Sequence, residues 1–204
     1  MTLASLVLRR RFILLKEVLD RCLALAGLIV FLPVLATLGV IIKLSSPGPV
    51  FFIQKRVGKG GKSFGIIKLR TMVTDAEQAT GPIWAQENDP RITPIGRFLR
   101  ASHFDEVPQL LNVLRGEMSI VGPRPERPVF VDQFRCQIPN YEARHMVKPG
   151  ITGLAQVYHH YDETVRDVKR KLGYDLLYVK KMCLMVDIAI LFLTFRRLTG
   201  KGAR

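Results

Sequence analysis

A run of 20 residues without a charged side chain, residues 23–42, dominates the hydrophobic pattern of the chain. Its length predicts a helix that could cross about 30 Å of hydrocarbon at about 1.5 Å per residue. Pro33 lies near the middle of the run, where a proline removes a backbone hydrogen bond and predicts a kink or a break. The pattern therefore indicates a membrane segment, either a bent span or a re-entrant hairpin that turns at Pro33.

Basic residues lie on both sides of this run. They are Arg9, Arg10, Arg11, Lys16 and Arg21 before it, and Lys43, Lys55 and Arg56 after it. A span would place these two groups on opposite sides of the membrane, against the positive-inside preference, whereas a hairpin keeps both on the cytoplasmic side. A cleaved signal peptide is disfavoured, because the run is too long and no small-residue cleavage site follows it.

The run is followed by a turn-rich hinge, residues 45–49, after which the chain has the composition of a soluble domain. We therefore expect an anchoring segment over residues 1–44 and a cytoplasmic catalytic domain over residues 45–204. Two short apolar runs, 50–53 and 63–67, flank the glycine-rich basic turn 58–62 and predict a β-hairpin.

The rest of the chain is predicted to be mainly helical, so the fold class is α+β with interfacial amphipathic helices around a small catalytic domain. The predicted helices cover residues 74–79, 95–101, 107–114, 129–137, 162–181 and 182–195. A polar loop over residues 80–91 carries the only tryptophan, Trp84.

Charge changes this picture, because 31 Lys and Arg against 17 Asp and Glu give a formal net charge of +14. A chain that is both basic and 48% hydrophobic is not a disordered tail, and it favours an anionic membrane surface over nucleic acid as its partner. The three cysteines, Cys22, Cys136 and Cys183, are far apart, which predicts neither a disulfide framework nor a zinc cluster and favours a reducing compartment.

The adjacent carboxylates Asp105 and Glu106 are the leading candidates for chemistry. Pro108 is tolerated only in the first turn of a helix, so a helix should begin near Asp105. Asp105 then has two interpretations: a helix cap, in a box with Ser102, or a nucleophile held beside a phosphate at the helix N-terminus. Neighbouring helical residues point about 100° apart, so Glu106 would have a separate task, such as holding Mg²⁺.

Cations accompany these carboxylates in the sequence. Arg100 precedes them, Arg124 stands between two prolines that stiffen its backbone, and Lys68 and Arg70 follow a predicted strand at a spacing that puts both on one side. All four are candidate substrate-binding residues. The four histidines have no metal-ligand spacing.

Four strings of residues resemble, in order and spacing, the bacterial sugar transferases, also called monotopic phosphoglycosyl transferases. They are Lys-Leu-Arg-Thr-Met at 68–72, Asp-Glu-Val-Pro-Gln-Leu-Leu-Asn-Val-Leu-Arg-Gly-Glu-Met-Ser at 105–119, Val-Gly-Pro-Arg-Pro at 121–125 and Lys-Pro-Gly-Ile-Thr-Gly at 148–153. The resemblance covers nearly the whole chain, from about residue 11 to residue 197.

The resemblance implies transfer of a sugar 1-phosphate from a UDP-sugar to polyprenyl phosphate, with UMP released, as the first step of bacterial surface polysaccharide or glycoconjugate synthesis. It implies that Asp105 forms the covalent phosphosugar intermediate and that Glu106 assists Mg²⁺. It also implies phosphate and nucleotide contacts by Lys68, Arg100 and Arg124. The implied location is the cytoplasmic face of the bacterial inner membrane; nucleic acid is not an expected partner, and a homodimer is left open.

The sequence departs from the family pattern at two positions. Leu32 replaces the serine of the Ser-Pro pair that breaks the family's re-entrant helix at the position of Pro33. Leu154 stands where many members have tryptophan. The loop at 81–91 looks like that of larger members, whose catalytic module follows several transmembrane helices, so the chain is either a short enzyme or the catalytic part of a longer one.

The competing hypothesis is a membrane-tethered basic protein that binds nucleic acid or anionic lipid without metal and without Asp105. Two features disfavour it: basic residues cluster around carboxylates, and only 8% of residues are aromatic, with no stacking series.

Overall fold

The computed structural model describes residues 3–74, 76, 89–158 and 164–199, with side chains from residue 11 onward. Its helices are α1 (Leu3–Ser45), α2 (Pro94–Ser102), α3 (Gln109–Leu114), α4 (Pro128–Gln137), α5 (Leu154–Tyr158), α6 (Val165–Lys181) and α7 (Leu184–Thr199). Its strands are β1 (Phe51–Val57), β2 (Ser63–Leu69), β3 (Ser119–Val121) and β4 (Gly150–Thr152). Short 3₁₀ turns cover Lys59–Gly61, Phe104–Glu106 and Tyr141–Met146.

The predicted hairpin is confirmed, because β1 and β2 pair antiparallel around the turn that contains Gly60 in a left-handed conformation. The predicted α+β, mainly helical character is confirmed as well, and five of the predicted helices correspond to α2, α3, α4, α6 and α7. The expected helix at 74–79 and the loop that carries Trp84 lie largely outside the described residues.

The predicted break at Pro33 is not confirmed, because α1 continues through this residue for a total of 43 residues. A proline removes one backbone hydrogen bond, and packing on both sides of that point can support a long helix despite this loss. Before the proline, the ring of Phe31 contacts that of Phe104 edge-on; after it, Leu38 and Ile42 are buried in the core.

A second, parallel sheet was not predicted. It consists of β3 and β4, with Ser119 opposite Gly150 and Val121 opposite Thr152. The two chain segments approach closely just beyond β3, where a Cβ added to Gly150 would lie 2.1 Å from the backbone nitrogen of Gly122. Glycine is therefore required at this crossing, which fixes the path of the residues after β3.

Helix α1 forms part of the core of the folded domain. Ala24 is fully buried against Val113 and Met118, next to the hairpin. Further along α1, Ile42 packs with Leu69 at the end of β2, in a cluster that also includes residues of α2.

The opposite side of α1 presents apolar side chains to the surroundings. Those more than half exposed include Leu14, Val18, Leu25, Ile29, Val30 and Leu32. The segment Arg11–Ser45 is long and apolar enough to cross a membrane by length and composition. Helix α7 has the same two-sided character: Asp187 and Ile190 are buried, and its other face exposes Met185, Ile188, Phe192 and Phe195. Helices with such exposed apolar faces are typical of proteins that contact a membrane.

Candidate active site

The hairpin and α3 are joined by one buried amide side chain, which brings Lys68 next to the carboxylate pair. Asn112 is fully buried, donates to the carbonyl of Gly65 (2.7 Å) and accepts from the backbone N–H of Ile67 (3.0 Å). These two bonds continue the hydrogen bonding of β2 onto α3, so the register between strand and helix is fixed. Lys68, the next residue of β2, consequently faces Glu106.

The carboxylate pair lies in the 3₁₀ turn Phe104–Glu106, between α2 and α3. The helix predicted over 107–114 is confirmed as α3, but its expected start near Asp105 or Glu106 is wrong, because α3 begins at Gln109. His103, in the left-handed conformation with φ 59°, separates the two helices. The predicted cap by Ser102 is wrong too, because its hydroxyl donates to backbone carbonyls inside α2.

Glu106 is held between two cations. Lys68 Nζ donates to its Oε1 at 2.7 Å, and Arg124 donates to Oε1 at 2.6 Å and to Oε2 at 3.3 Å. Burial by itself would raise the pKa of Glu106, but Arg124 and Lys68 together hold that pKa well below its ordinary value. Glu106 is therefore a fixed anion whose two oxygens are both occupied.

Asp105 is more deeply buried than Glu106 and, among the described residues, is not paired with a cation. Its side chain is 7% exposed, and within the part of the chain that the structure describes no hydrogen bond or ion pair reaches its carboxylate. Burial raises the pKa of Asp105, Lys68 opposes that shift, and the neighbouring charge of Glu106 adds to it. A desolvated carboxylate with both oxygens available can attack an electrophile such as phosphorus.

Arg100 completes the cationic surroundings of Asp105. It lies on α2, and its Nε donates to the hydroxyl of Thr71 at 3.0 Å. Burial lowers the pKa of Arg100, and the attraction of Asp105 is the largest opposing effect. Lys68, Arg100 and Arg124 thus carry three positive charges against two carboxylates, which leaves one net positive charge for an anionic substrate.

Arg70 is not part of this cluster. Strand β2 ends at Leu69, so the alternation that should have placed Arg70 beside Lys68 stops before it. The Arg70 guanidinium instead donates to the carbonyls of Ile42, Ser46 and Pro47, at 2.8–3.3 Å, where it caps the C-terminus of α1. Cations are favourable at that end of a helix, where carbonyls lack partners.

Asp105 and Glu106 are the carboxylates of this cluster that could hold a divalent cation such as Mg²⁺. In the described residues, no group of three or more His, Cys, Asp or Glu side chains is placed to hold a metal ion. Mg²⁺ needs only one or two protein carboxylates when substrate phosphates and water supply the other ligands. Within the described part of the chain the Asp105 oxygens have no partner and could serve this purpose, and Glu106 would have to exchange one of its two cations.

Sequence reasoning found Lys68, Arg100, Asp105, Glu106 and Arg124, and the structure brings these five together around the 3₁₀ turn. It missed the side chains that support them, such as Asn112 and the buried Arg144, whose guanidinium donates to the Arg124 carbonyl. The deep burial of Asn112 gives no signal in the sequence, since asparagine is usually exposed.

The chain was compared with known proteins and families. The family model described as bacterial sugar transferase matches residues 10–201. A UDP-N-acetylgalactosamine-undecaprenyl-phosphate N-acetylgalactosaminephosphotransferase of Aeromonas hydrophila is 45% identical over 99% of the chain and 48% of its own length. A UDP-glucose:undecaprenyl-phosphate glucose-1-phosphate transferase of Escherichia coli is 42% identical over 93% of the chain and 41% of its own length.

The exopolysaccharide production protein PSS of Rhizobium leguminosarum is 40% identical over 93% of the chain and 98% of its own length. The chain thus spans about half the length of the first two relatives and nearly all of the third. Because the family model covers almost every residue and these relatives match along the same stretch, the chain belongs to the bacterial sugar transferase family.

Proposed function

We propose that this protein transfers a sugar 1-phosphate from a UDP-sugar to polyprenyl phosphate, such as undecaprenyl phosphate, through a covalent intermediate on Asp105. The observation that carries the proposal is the contrast between two neighbouring carboxylates. Glu106 is fixed by Lys68 and Arg124, whereas Asp105 is buried and, among the residues that the structure describes, has no hydrogen bond or ion pair on its carboxylate. The names of the relatives, which act on UDP-sugars and undecaprenyl phosphate, support the same reaction class.

In the first step, an Asp105 carboxylate oxygen attacks the β-phosphorus of the UDP-sugar. The bond from that phosphorus to the oxygen bridging the two phosphates breaks, and UMP leaves with the electron pair. Lys68, Arg100 and Arg124 offset the repulsion between the carboxylate and the diphosphate and stabilise the charge that develops on the leaving oxygen. The product is an aspartyl phosphosugar.

In the second step, a phosphate oxygen of polyprenyl phosphate attacks the same phosphorus. The bond to the Asp105 oxygen breaks, the carboxylate is regenerated, and the polyprenyl diphosphate sugar is released. Splitting the transfer in this way replaces one difficult displacement between two anions by two easier ones. Glu106 pairs with Lys68 and Arg124 before the substrate binds and so places both cations beside Asp105.

A Mg²⁺ ion fits this scheme, with Glu106 and Asp105 as the carboxylates that would hold it. When bound together with the substrate, it would neutralise part of the negative charge of the diphosphate.

The membrane arrangement proposed here is monotopic, with α1 entering one leaflet and returning. Contacts between α1 and the catalytic part are spread from Lys16, paired with Asp187, to Ile42, a distance of about 39 Å along the helix axis. If α1 crossed about 30 Å of hydrocarbon, its contacts with the rest of the domain would be lost along most of that length, so these contacts favour a helix that stays on one side of the membrane. A re-entrant path would require a bend at Pro33 on insertion, since α1 is continuous in the structure; residues 1–44 would be the anchor and residues 45–204 the catalytic domain.

This arrangement puts the catalytic domain on the cytoplasmic face of the bacterial inner membrane, where UDP-sugars are available. The net charge of +14 favours anionic lipids at that surface. The reaction would initiate a surface polysaccharide or glycoconjugate, in line with the name of the exopolysaccharide production relative.

The decisive experiment incubates the full chain with undecaprenyl phosphate and a panel of UDP-sugars, including UDP-glucose and UDP-N-acetylgalactosamine, and measures UMP. We expect UMP release with at least one donor, and loss of at least 10³-fold in Asp105→Asn, a magnitude typical of an absent nucleophile. Asp132→Asn is the matched control, since Asp132 is an exposed carboxylate on α4. Radiolabelled donor should label the wild type at Asp105; turnover with normal UMP release in Asp105→Asn would contradict the assignment.

The metal has its own test. Removal of divalent cations with EDTA should abolish UMP release, and Mg²⁺ should restore it. Glu106→Gln should lower activity and raise the Mg²⁺ concentration needed for half-maximal rate; a near-normal rate with unchanged metal dependence would exclude a metal role for Glu106.

The topology is tested by cysteine labelling in a background where Cys22, Cys136 and Cys183, all exposed, are replaced. Val18→Cys and Leu44→Cys place one exposed thiol near each end of the apolar run. A membrane-impermeant reagent should reach both from the cytoplasmic side only. Labelling of one of them from the outside would establish a span.

A further inference from the structure

The backbone that carries Arg124 is held by buried cations that play no direct part in the proposed chemistry. The segment Pro123–Arg127 follows β3, and its two prolines around Arg124 restrict the backbone. Two guanidinium groups bind consecutive carbonyls of this segment: Arg144 donates to the carbonyl of Arg124 at 2.8 Å, and Arg56 donates to that of Pro125 at 3.1 Å.

Arg144 is 2% exposed and makes three different contacts. Besides the Arg124 carbonyl, its Nη1 donates to the hydroxyl of Tyr141 at 2.8 Å, and its Nη2 lies 2.8 Å from Oδ2 of Asp175 on α6. The last contact lacks the alignment of a hydrogen bond and is an ion pair. Asp175 is 1% exposed, so it compensates the buried charge of Arg144 and fixes the direction of the guanidinium.

Glu126, the next residue of the segment, is also held by buried or partly buried cations, through its side chain. Glu126 accepts from Lys171 of α6 at 2.6 Å and lies 3.7 Å from Arg56. Helix α6 thus contributes both Asp175 and Lys171, one helical turn apart, to the support of the Arg124 backbone.

We propose that Arg144, oriented by Asp175, is a positioning residue for the Arg124 side chain: by holding the Arg124 carbonyl it places the guanidinium that pairs with Glu106 next to Asp105. The inference rests on the proposed function, since it gives Arg124 a task in binding the diphosphate. Arg144 and Asp175 thereby influence catalysis without contacting the substrate, because they position a residue that does.

The three contacts require a guanidinium. A lysine has one ammonium on a flexible stem, so it can pair with Asp175 or bind the Arg124 carbonyl, but it cannot reproduce the planar fork that serves Tyr141 at the same time. A purely stabilising ion pair would have no such requirement, because buried pairs can often be replaced by uncharged residues without loss of stability.

The test measures UMP release and thermal unfolding for Arg144→Lys, Arg144→Gln and the double variant Arg144→Gln/Asp175→Asn. Arg144→Gln leaves Asp175 buried and unpaired, so its unfolding midpoint should fall; the double variant removes both charges and should recover most of that midpoint. We expect kcat/KM for the UDP-sugar to fall about 10- to 100-fold in all three, since misplacement by about 1 Å has effects of this size. Recovery of kcat/KM together with the midpoint would reduce Arg144 to a structural role and overturn the proposal.

A second measurement follows the effect through Arg124. Arg144→Lys should cost 10-fold or more in kcat/KM in the wild-type background and less than 3-fold in an Arg124→Lys background, because the guanidinium that it positions is already gone. Equal losses in the two backgrounds would exclude action through Arg124. Arg135→Lys is the control: Arg135 is half-exposed and pairs at the surface with Glu142, so its rate should be unchanged.

The outcomes separate the two proposals. A wild-type chain that releases no UMP from any donor would refute the proposed function, and the positioning role with it. An active wild type with unchanged Arg144 variants would refute the positioning role alone.

Discussion

A buried ion pair ties α1 and α7, the two helices with exposed apolar faces, together, and removal of its cation should destabilise the protein strongly. Lys16 of α1 donates to Asp187 of α7 at 2.6 Å and lies 3.6 Å from Asp20. Asp187 also accepts from the buried hydroxyl of Tyr178, and Asp20 accepts from Ser119. Lys16 is thus the cation shared by two buried carboxylates.

The magnitude follows from the geometry. At 2.6 Å and an effective dielectric constant of about 20, the Lys16–Asp187 attraction is about 6 kcal/mol before the cost of desolvation. Substitution Lys16→Met leaves the two carboxylates without their cation, and breaking one side of a buried pair costs about 3–5 kcal/mol. For a chain of this size, about 2–4 °C per kcal/mol converts this cost into a fall in unfolding midpoint of about 6–20 °C.

Thermal unfolding in one detergent, followed by circular dichroism, measures the effect. The control is Glu17→Gln, one residue further along α1, whose 2.8 Å pair with Lys148 is more exposed and should contribute about 0–1 kcal/mol. Lys16→Met/Asp187→Asn removes one of the unpaired charges and should regain much of the lost midpoint. A midpoint for Lys16→Met no lower than that of Glu17→Gln would refute the reasoning.

Three further predictions concern single residues. Burial lowers the pKa of His145 to about 4, so between about pH 6.5 and pH 4 the unfolded chain binds a proton at this residue and the folded protein does not. The free energy of unfolding should therefore fall by about 3 kcal/mol as the pH falls from about 6.5 to about 4. In unfolding midpoints recorded against pH, His145→Asn should make this decline shallower. Gly173→Ala should raise the free energy of unfolding by up to about 1 kcal/mol, and the unfolding midpoint with it, because the added methyl meets no atom within 4 Å in the middle of α6. Gly150→Ala should lower both midpoint and UMP release, since its Cβ would lie 2.1 Å from the Gly122 nitrogen and displace the segment that leads to Arg124; normal values for both would show that the crossing can relax.

Local patterns predicted the parts of the fold that are stabilised locally. The hairpin follows from two apolar runs and a glycine-rich turn. Helix α6 begins with a capping box, Thr164 with Asp167, which depends only on residues close to each other in the sequence. The parallel pairing of β3 with β4 carries no such signal. Each strand has three residues, and the partners Ser119 and Gly150 are joined through tertiary structure alone.

The site shows the same division. Lys68, Arg124 and the carboxylate pair could be predicted because each stands in a distinctive short string. Arg70 stands in one of those strings too, yet it lies elsewhere, because the spacing argument holds only while the strand continues and β2 ends one residue earlier. Asn112 could not be predicted, since its role depends on two backbone groups of β2 that only the folded chain brings to it.

Helix α1 also cannot be treated as a part that is separate from the rest of the fold. Ala24 and Ile42 of α1 are almost completely buried, and they cover Met118, between α3 and β3, and Leu99 of α2. Arg70, next to the strand that carries Lys68, is bonded to the carbonyls that end α1. A chain that lacked α1 would therefore expose the core beneath the site and remove the Ile42 carbonyl that accepts from the buried Arg70 guanidinium. Helix α1 therefore folds together with the rest of the described chain, and in the membrane arrangement proposed above the helix that meets the lipid would also hold the candidate site in shape.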